Sequence, residues 1–250
     1  MSRTGGRTAV WLLTALLAGC GSTVTGADGG GGPPLPLAPS RAEARGPKPP
    51  KITYPDGGSG SYRTARAQSS DVPGDGPVLR YRVLVEQDID GVTPAEFARA
   101  VQQTLDDPRG WTAGGTRRLR RVGPGQRYDF MIYLVTPDTR DVLCQDVPEG
   151  YTSCRNGDRV VLNVARWTNG VPGYGAPLAA YRQYMVNHEV GHRLGQGHEL
   201  CPGKGEPAPV MQQQTLGLHG CRANPWPYLD GERYAGASGT YNDPIPIPSR

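Results

Sequence analysis

Between His188 and His198 the chain reads His-Glu-Val-Gly-His-Arg-Leu-Gly-Gln-Gly-His, and this run holds three of its four histidines. Given the chain's own composition, chance placement of these residue types at these spacings is on the order of 10⁻⁵ or less, so the run constrains the fold before any other feature does. On an α-helix His188 and His192 share one face about 6 Å apart along the axis, close enough for two imidazole Nε2 atoms to meet one metal ion. Glu189 stands about 100° round the helix from His188. From there its carboxylate can reach a water held by the metal without ligating the metal itself, which is the position of a general base. Gly195, three residues after His192, can take the left-handed conformation that ends a helix and turns the chain back. That turn returns His198 as a third ligand. Three protein ligands leave the fourth tetrahedral position open, as in a catalytic rather than a structural zinc site, so Zn2+ is the expected cofactor. A lone His-x-x-x-His would read as a core or surface pair; Glu189, Gly195 and His198 in register remove that reading.

Periodicity supplies the frame around this helix. Leu79, Tyr81, Val83 and Val85 alternate as in a strand. Thr93-Pro94-Ala95-Glu96 is a capping box with proline at the first helical position, and Phe97, Val101 and Leu105 recur every four residues up to Pro108. Phe130 to Val135 and Val160 to Val164 are continuous apolar runs suited to buried central strands. Leu178, Tyr181, Met185, His188 and His192 define the buried face of a second long helix. Ile52 to Ala65, with Tyr54 and Tyr62 flanking Asp56-Gly57-Gly58, reads as a hairpin packed on the domain. The pattern predicts an α+β fold: a mixed twisted β-sheet, two long helices of which one carries the zinc motif, and a short irregular C-terminal part after Gly195.

The motif His-Glu-x-x-His-x-x-Gly-x-x-His resembles that of the metzincin clan of zinc endopeptidases, and the resemblance implies a zincin-like fold with a methionine turn beneath the metal. Met211, in Pro209-Val210-Met211-Gln212-Gln213, fits that turn. The stretch from about Tyr54 to Tyr228 is similar to an uncharacterised actinobacterial family of secreted zincin-like domains. Asp107 to Trp111, Tyr181 to His198, and Asn224 to Tyr228 carry the match. Two features depart from better-known metzincins. Gln213 stands where astacin-like and serralysin-like enzymes carry a tyrosine, and no cysteine lies between Gly21 and Leu143 to act as a propeptide latch on the zinc.

Arg3 and Arg7 precede a short apolar run from Thr8 to Leu17, and Leu17-Ala18-Gly19-Cys20 resembles the lipobox of bacterial lipoproteins. About ten apolar residues are too few to span a bilayer. An ordinary secretory signal with Cys20 incidental is the alternative; a cysteine at the lipidation position favours a signal peptide over residues 1–19 and a lipid on Cys20. Residues 20–51 then form a Gly/Pro-rich spacer, 52–240 the metallopeptidase domain and 241–250 an extended tail. The net charge of +4 includes Arg3 and Arg7, so the mature chain carries +2, too little for a strong polyanion field.

With Cys20 assigned to lipid, Cys144, Cys154, Cys201 and Cys221 remain, an even number in an exported chain. Of the three possible pairings we expect Cys144 with Cys154 and Cys201 with Cys221, because the second would brace the loop carrying Met211. Metal binding by Cys201, or by His219 with Cys221, is the alternative. Arg117, Arg118, Arg120 and Arg121 read as the solvated part of a strand with Leu119 and Val122 facing in, and no nucleic-acid partner is expected. The sequence therefore points to a monomeric zinc metalloendopeptidase, lipid-anchored at the cell membrane and facing outward, that acts on peptide or protein substrates of the cell envelope. A binding lipoprotein that grips peptide or wall polymer on the same scaffold without cleaving it is the rival.

Overall fold

Alternating apolar side chains on three central strands divide the core between the two faces of one sheet. The computed structural model describes residues 50–246. The signal segment, Cys20, the spacer up to residue 49 and residues 247–250 lie outside the described residues. Six strands form a mixed sheet: β1 (Tyr62–Thr64), β2 (Val78–Glu86), β3 (Arg118–Arg121), β4 (Phe130–Val135), β5 (Cys154–Asn156) and β6 (Arg159–Asn163). Their order is β1-β2-β4-β6-β5, with β3 pairing the first half of β2. The central pairs β2/β4 and β4/β6 are parallel, whereas β1 and β5 join antiparallel at the two ends.

Side chains of a strand point alternately to opposite faces. Tyr81, Val83 and Val85, Phe130, Ile132 and Leu134, and Val160 and Leu162 accordingly enter the larger core, while Leu84, Tyr133, Val135 and Val161 face a smaller cluster behind the sheet. Helices α1 (Pro94–Leu105) and α4 (Leu178–Arg193) cover the larger face. The short helices α2 (Pro137–Cys144) and α3 (Val164–Asn169) flank β6, and α2 contributes Cys144 to the smaller cluster. A two-stranded ribbon of β7 (Tyr228–Leu229) and β8 (Glu232–Arg233) is the regular structure after α4 among the described residues.

Helix α1 begins where its capping box requires. The Thr93 side chain accepts from Glu96 N–H, and the Glu96 carboxylate accepts from Thr93 N–H at 2.8 Å. Phe97, Val101 and Leu105 are buried. Leu119 and Val122 are also buried, the latter just past the end of β3.

Two expectations change. Residues 52–65 do not pair with each other as a hairpin: Thr53 bridges Asp90, and β1 pairs with the end of β2. Two of the intervening glycines bond a buried polar cluster instead, Gly60 N–H donating to the Glu86 carboxylate at 3.0 Å and Gly58 N–H to the Thr136 hydroxyl at 2.9 Å. Thr136 N–H and the Thr139 hydroxyl also donate to Glu86, so satisfying this buried carboxylate outweighs local strand pairing. Leu178 is 36% exposed rather than part of the buried face of α4; burial starts at Tyr181 and then spreads round the helix through Tyr184 to Gly191. Among the described residues no helix is long and apolar enough to cross a membrane.

Candidate metal centre

Helix α4 presents its last two turns to a cleft of about 570 Å³. His188 and Glu189 are buried and His192 is half-buried. The helix then ends at Gly195, whose φ is +88°, with Gly195 N–H bonded to the His192 carbonyl at 3.1 Å and Gln196 N–H to the Gly191 carbonyl at 2.9 Å. This pair of reversed hydrogen bonds closes the helix on a left-handed glycine and swings the chain round. His198 arrives opposite His192 as the spacing requires.

The ligand atoms of the three histidines all lie within 4.8 Å of one another. His192 Nε2 is 3.2 Å from His188 Nε2 and 3.1 Å from His198 Nε2. The protons are elsewhere: His188 Nδ1–H donates to the Val210 carbonyl at 2.8 Å, and His192 Nδ1–H to the Gln196 carbonyl at 2.9 Å. A neutral imidazole with Nδ1 protonated has only a lone pair at Nε2. Two such lone pairs, on His188 and His192, meet the Nε2 of His198, a crowding of nitrogens that a cation at the centre would relieve. Burial, reinforced by the neighbouring His192, lowers the pKa of His188 well below its ordinary value and that of His198 to about 4. All three rings are therefore neutral near pH 7, the form that ligates. Together they can hold a metal ion.

Glu189 lines the same cleft. Burial pushes its carboxyl up to about 8, with Arg140 opposing and Asp146 adding to the shift. A carboxyl brought toward neutrality can both take and release a proton.

Met211 is fully buried, and the segment around it holds the helix from below. Besides the bond from His188 to Val210, the Tyr184 hydroxyl donates to the Gln212 carbonyl at 3.1 Å. A Cβ built on Gly191 would lie 2.7 Å from the Trp111 ring and would also strike the Met211 sulfur, so glycine in the middle of the motif is what lets these two side chains touch the helix. Met211 can swing aside, but Trp111 Nε1–H is tied to the Asn187 carbonyl at 2.7 Å. Gly191→Ala should therefore destabilise the protein by about 1–3 kcal/mol through overpacking. Denaturant unfolding checks this, and an unchanged midpoint would show that the Trp111 ring has room to move.

The three stretches that carry the family resemblance meet at this helix. Trp111 reaches Asn187, Asn187 Nδ2–H donates to the Pro225 carbonyl at 2.8 Å, Arg109 stacks over Trp226 at 4.1 Å, and Tyr228 N–H donates to the Arg109 carbonyl. Both expected disulfides are present, Cys144–Cys154 and Cys201–Cys221, with Cα separations of 6.0 and 5.9 Å. The second closes the segment that contains Met211. Cys201 and Cys221 are thus committed to each other and not to a metal.

The spacing of residues does not reveal the opposite wall of the cleft. It consists of Arg140, Asp146 and residues 152–155, carried by α2, β5 and the Cys144–Cys154 loop between them. Arg140 is 2% exposed and bonds Asp141, Asp146, Glu149 and Thr152. The two cysteines bracketing residues 145–153 were the available signal that this loop is held in place. Gln213 lines the cleft as well, and among the described residues its Oε1 is buried without a hydrogen-bond partner.

The model of the family described as Protein of unknown function (DUF3152) matches residues 48–229, a span that includes every histidine of the triad, Glu189 and Met211. No curated protein and no solved structure matches the chain.

Proposed function

This chain belongs to the DUF3152 family of proteins of unknown function, and we propose that its site is that of a zinc-dependent metallopeptidase with a zincin-like fold. The observation that carries the proposal is the convergence of three imidazoles, with His192 Nε2 3.2 and 3.1 Å from the Nε2 atoms of His188 and His198 and all three ligand atoms within 4.8 Å, beside a buried carboxyl that is not one of the three. Donors about 3.3 Å apart fit a tetrahedral ion with bonds of about 2.0–2.1 Å, the length of a zinc–imidazole bond. An all-imidazole donor set also favours zinc over calcium or magnesium. His188, His192 and His198 would hold the ion. Bound there, zinc supplies Lewis acidity toward water and toward a scissile carbonyl.

The chain's own groups account for the remaining chemistry. Glu189, which lines the cleft beside the three histidines, takes a proton at its carboxylate and delivers it to the leaving amine; a cation held by those histidines would favour the charged form against the burial that raises its pKa. The bonds from His188 to Val210 and from His192 to Gln196 fix the orientation of two rings. Strand β5 is the edge of the sheet beside the cleft, and Cys154 and Arg155 line it. An extended peptide can add to such an edge through backbone hydrogen bonds, which supports a peptide substrate. The methionine segment under α4 and the irregular chain after Gly195 support the metzincin likeness. In the same proposal the lipid on Cys20, outside the described residues, anchors the domain at the outer face of the cell membrane, where envelope peptides and proteins are the substrates.

A peptide-library cleavage assay with the zinc-loaded chain tests this reading. Cleavage that stops on chelation and returns when zinc is restored is the expected result. Binding of peptides without any cleavage would replace the enzyme by a peptide-binding protein on the same scaffold.

A further inference from the structure

Of the three histidines, His198 has the least support from its own neighbourhood. His188 and His192 donate their Nδ1–H to backbone carbonyls, whereas the Nδ1 partner of His198 is the Thr240 hydroxyl at 3.5 Å, which comes from 42 residues further along the chain. The backbone of His198 is also held from that direction, its carbonyl accepting from Gly239 N–H at 3.1 Å. Next to it, Leu200 N–H donates to the Ala237 carbonyl at 2.8 Å, and Glu199 bridges Ser238. Residues 236–240 therefore lie along 198–200 as a strap.

Small residues make the fit possible. A Cβ on Gly239 would lie 2.8 Å from the Leu200 side chain, and one on Gly236 would collide with the Leu200 carbonyl. The strap is tied at both ends. Upstream, Arg233 bonds Glu199 at 2.7 Å. Downstream, Tyr241 stacks on His219 at 3.5 Å between centroids and accepts from Cys201 N–H through its hydroxyl, while His219 Nε2 meets Asp243 at 2.8 Å. His219, the one histidine outside the motif, is thus a latch beside the Cys201–Cys221 bond.

We infer that residues 236–243 are a positioning strap for the third metal ligand, with Thr240 orienting the His198 ring and His219 latching the strap. This rests on the metal-site reading above. With the hydroxyl as acceptor of the Nδ1 proton, Nε2 of His198 is left bare, 3.1 Å from His192 Nε2. Groups that orient a metal-binding histidine in this way typically contribute 10–100-fold in metal affinity.

The test uses the full chain and reads the metal directly, by zinc affinity in competition with a chelating dye and by the ligand-field absorption of the cobalt(II) form. Thr240→Val keeps the shape and removes the oxygen; it should weaken zinc about 10-fold and shift the cobalt bands. Thr240→Ser should restore both, which a purely steric role would not allow. His219→Ala, which touches no ligand, should weaken zinc in the same direction. Wild-type affinity and an unshifted spectrum in Thr240→Val would overturn the strap while leaving the three-histidine site intact. A wild-type chain that binds neither metal would overturn the site and the strap together.

Discussion

Replacing Glu189 by glutamine is expected to lower peptide cleavage by a factor of at least ~10² while zinc content and melting temperature stay near those of the wild type. The glutamine has the same shape and can still hydrogen-bond, but it cannot take a proton. The three imidazoles, whose ligand atoms lie within 4.8 Å of one another, are untouched, so the ligand set survives. The buried position favours this outcome, since a neutral amide at residue 189 avoids the desolvation that raises the acid's pKa to about 8. His192→Ala provides the contrast. It removes the nitrogen shared by both short Nε2 pairs, so zinc and activity should disappear together, with some stability lost because metal binding is coupled to folding. If Glu189→Gln lost its zinc, the carboxylate would be a ligand or a strut for one. Full activity in that variant would falsify the proton-transfer role.

The second large effect lies across the cleft. Arg140→Ala should cost about 3–5 kcal/mol, the range for leaving buried carboxylates without their cation. Arg140 is 2% exposed, and of its partners Glu149 is 8% exposed and Asp141 17%, so solvent cannot replace the lost charge at either. Asp146, 49% exposed, should suffer little. The Cys144–Cys154 bond keeps the ends of the loop together in the variant, which makes the loss electrostatic rather than a loss of loop closure. Differential scanning calorimetry should show a melting temperature lower by roughly 6–20 °C, at about 2–4 °C per kcal/mol for a domain of this size. Because Arg140 also opposes the upward shift of Glu189, that carboxyl should titrate higher still in the variant. A melting temperature within 2 °C of the wild type would mean that Asp141 and Glu149 find other donors or become protonated at little cost.

Much of the candidate site was legible in the sequence because its residues are neighbours along the chain. His188, Glu189 and His192 occupy one helix, and the 3.6-residue period alone puts them together; Gly195 then needs only its freedom at positive φ to return His198. The capping box of α1 is equally local, and the period of two on β2, β4 and β6 reports which side chains leave for which face. The disulfides were also within reach, since each joins the nearest available cysteines, 10 and 20 residues apart.

What only the tertiary structure decided involves partners that no period connects. Arg140 shares a cleft with Glu189 because α2 and the helix that carries the motif converge on opposite sides of β6, and nothing in the spacing from 140 to 189 encodes that. The expected hairpin at 52–65 gave way because Glu86, buried and outside that segment, and the Thr136 bonded to it take the N–H groups of Gly60 and Gly58. Thr240 reads as one polar residue among many in the C-terminal segment until the strap lays it beside His198. A sequence pattern records which face of its own element a side chain takes. Which distant element meets that face is set by the burial of whole surfaces and by the need to pair each polar group enclosed between them.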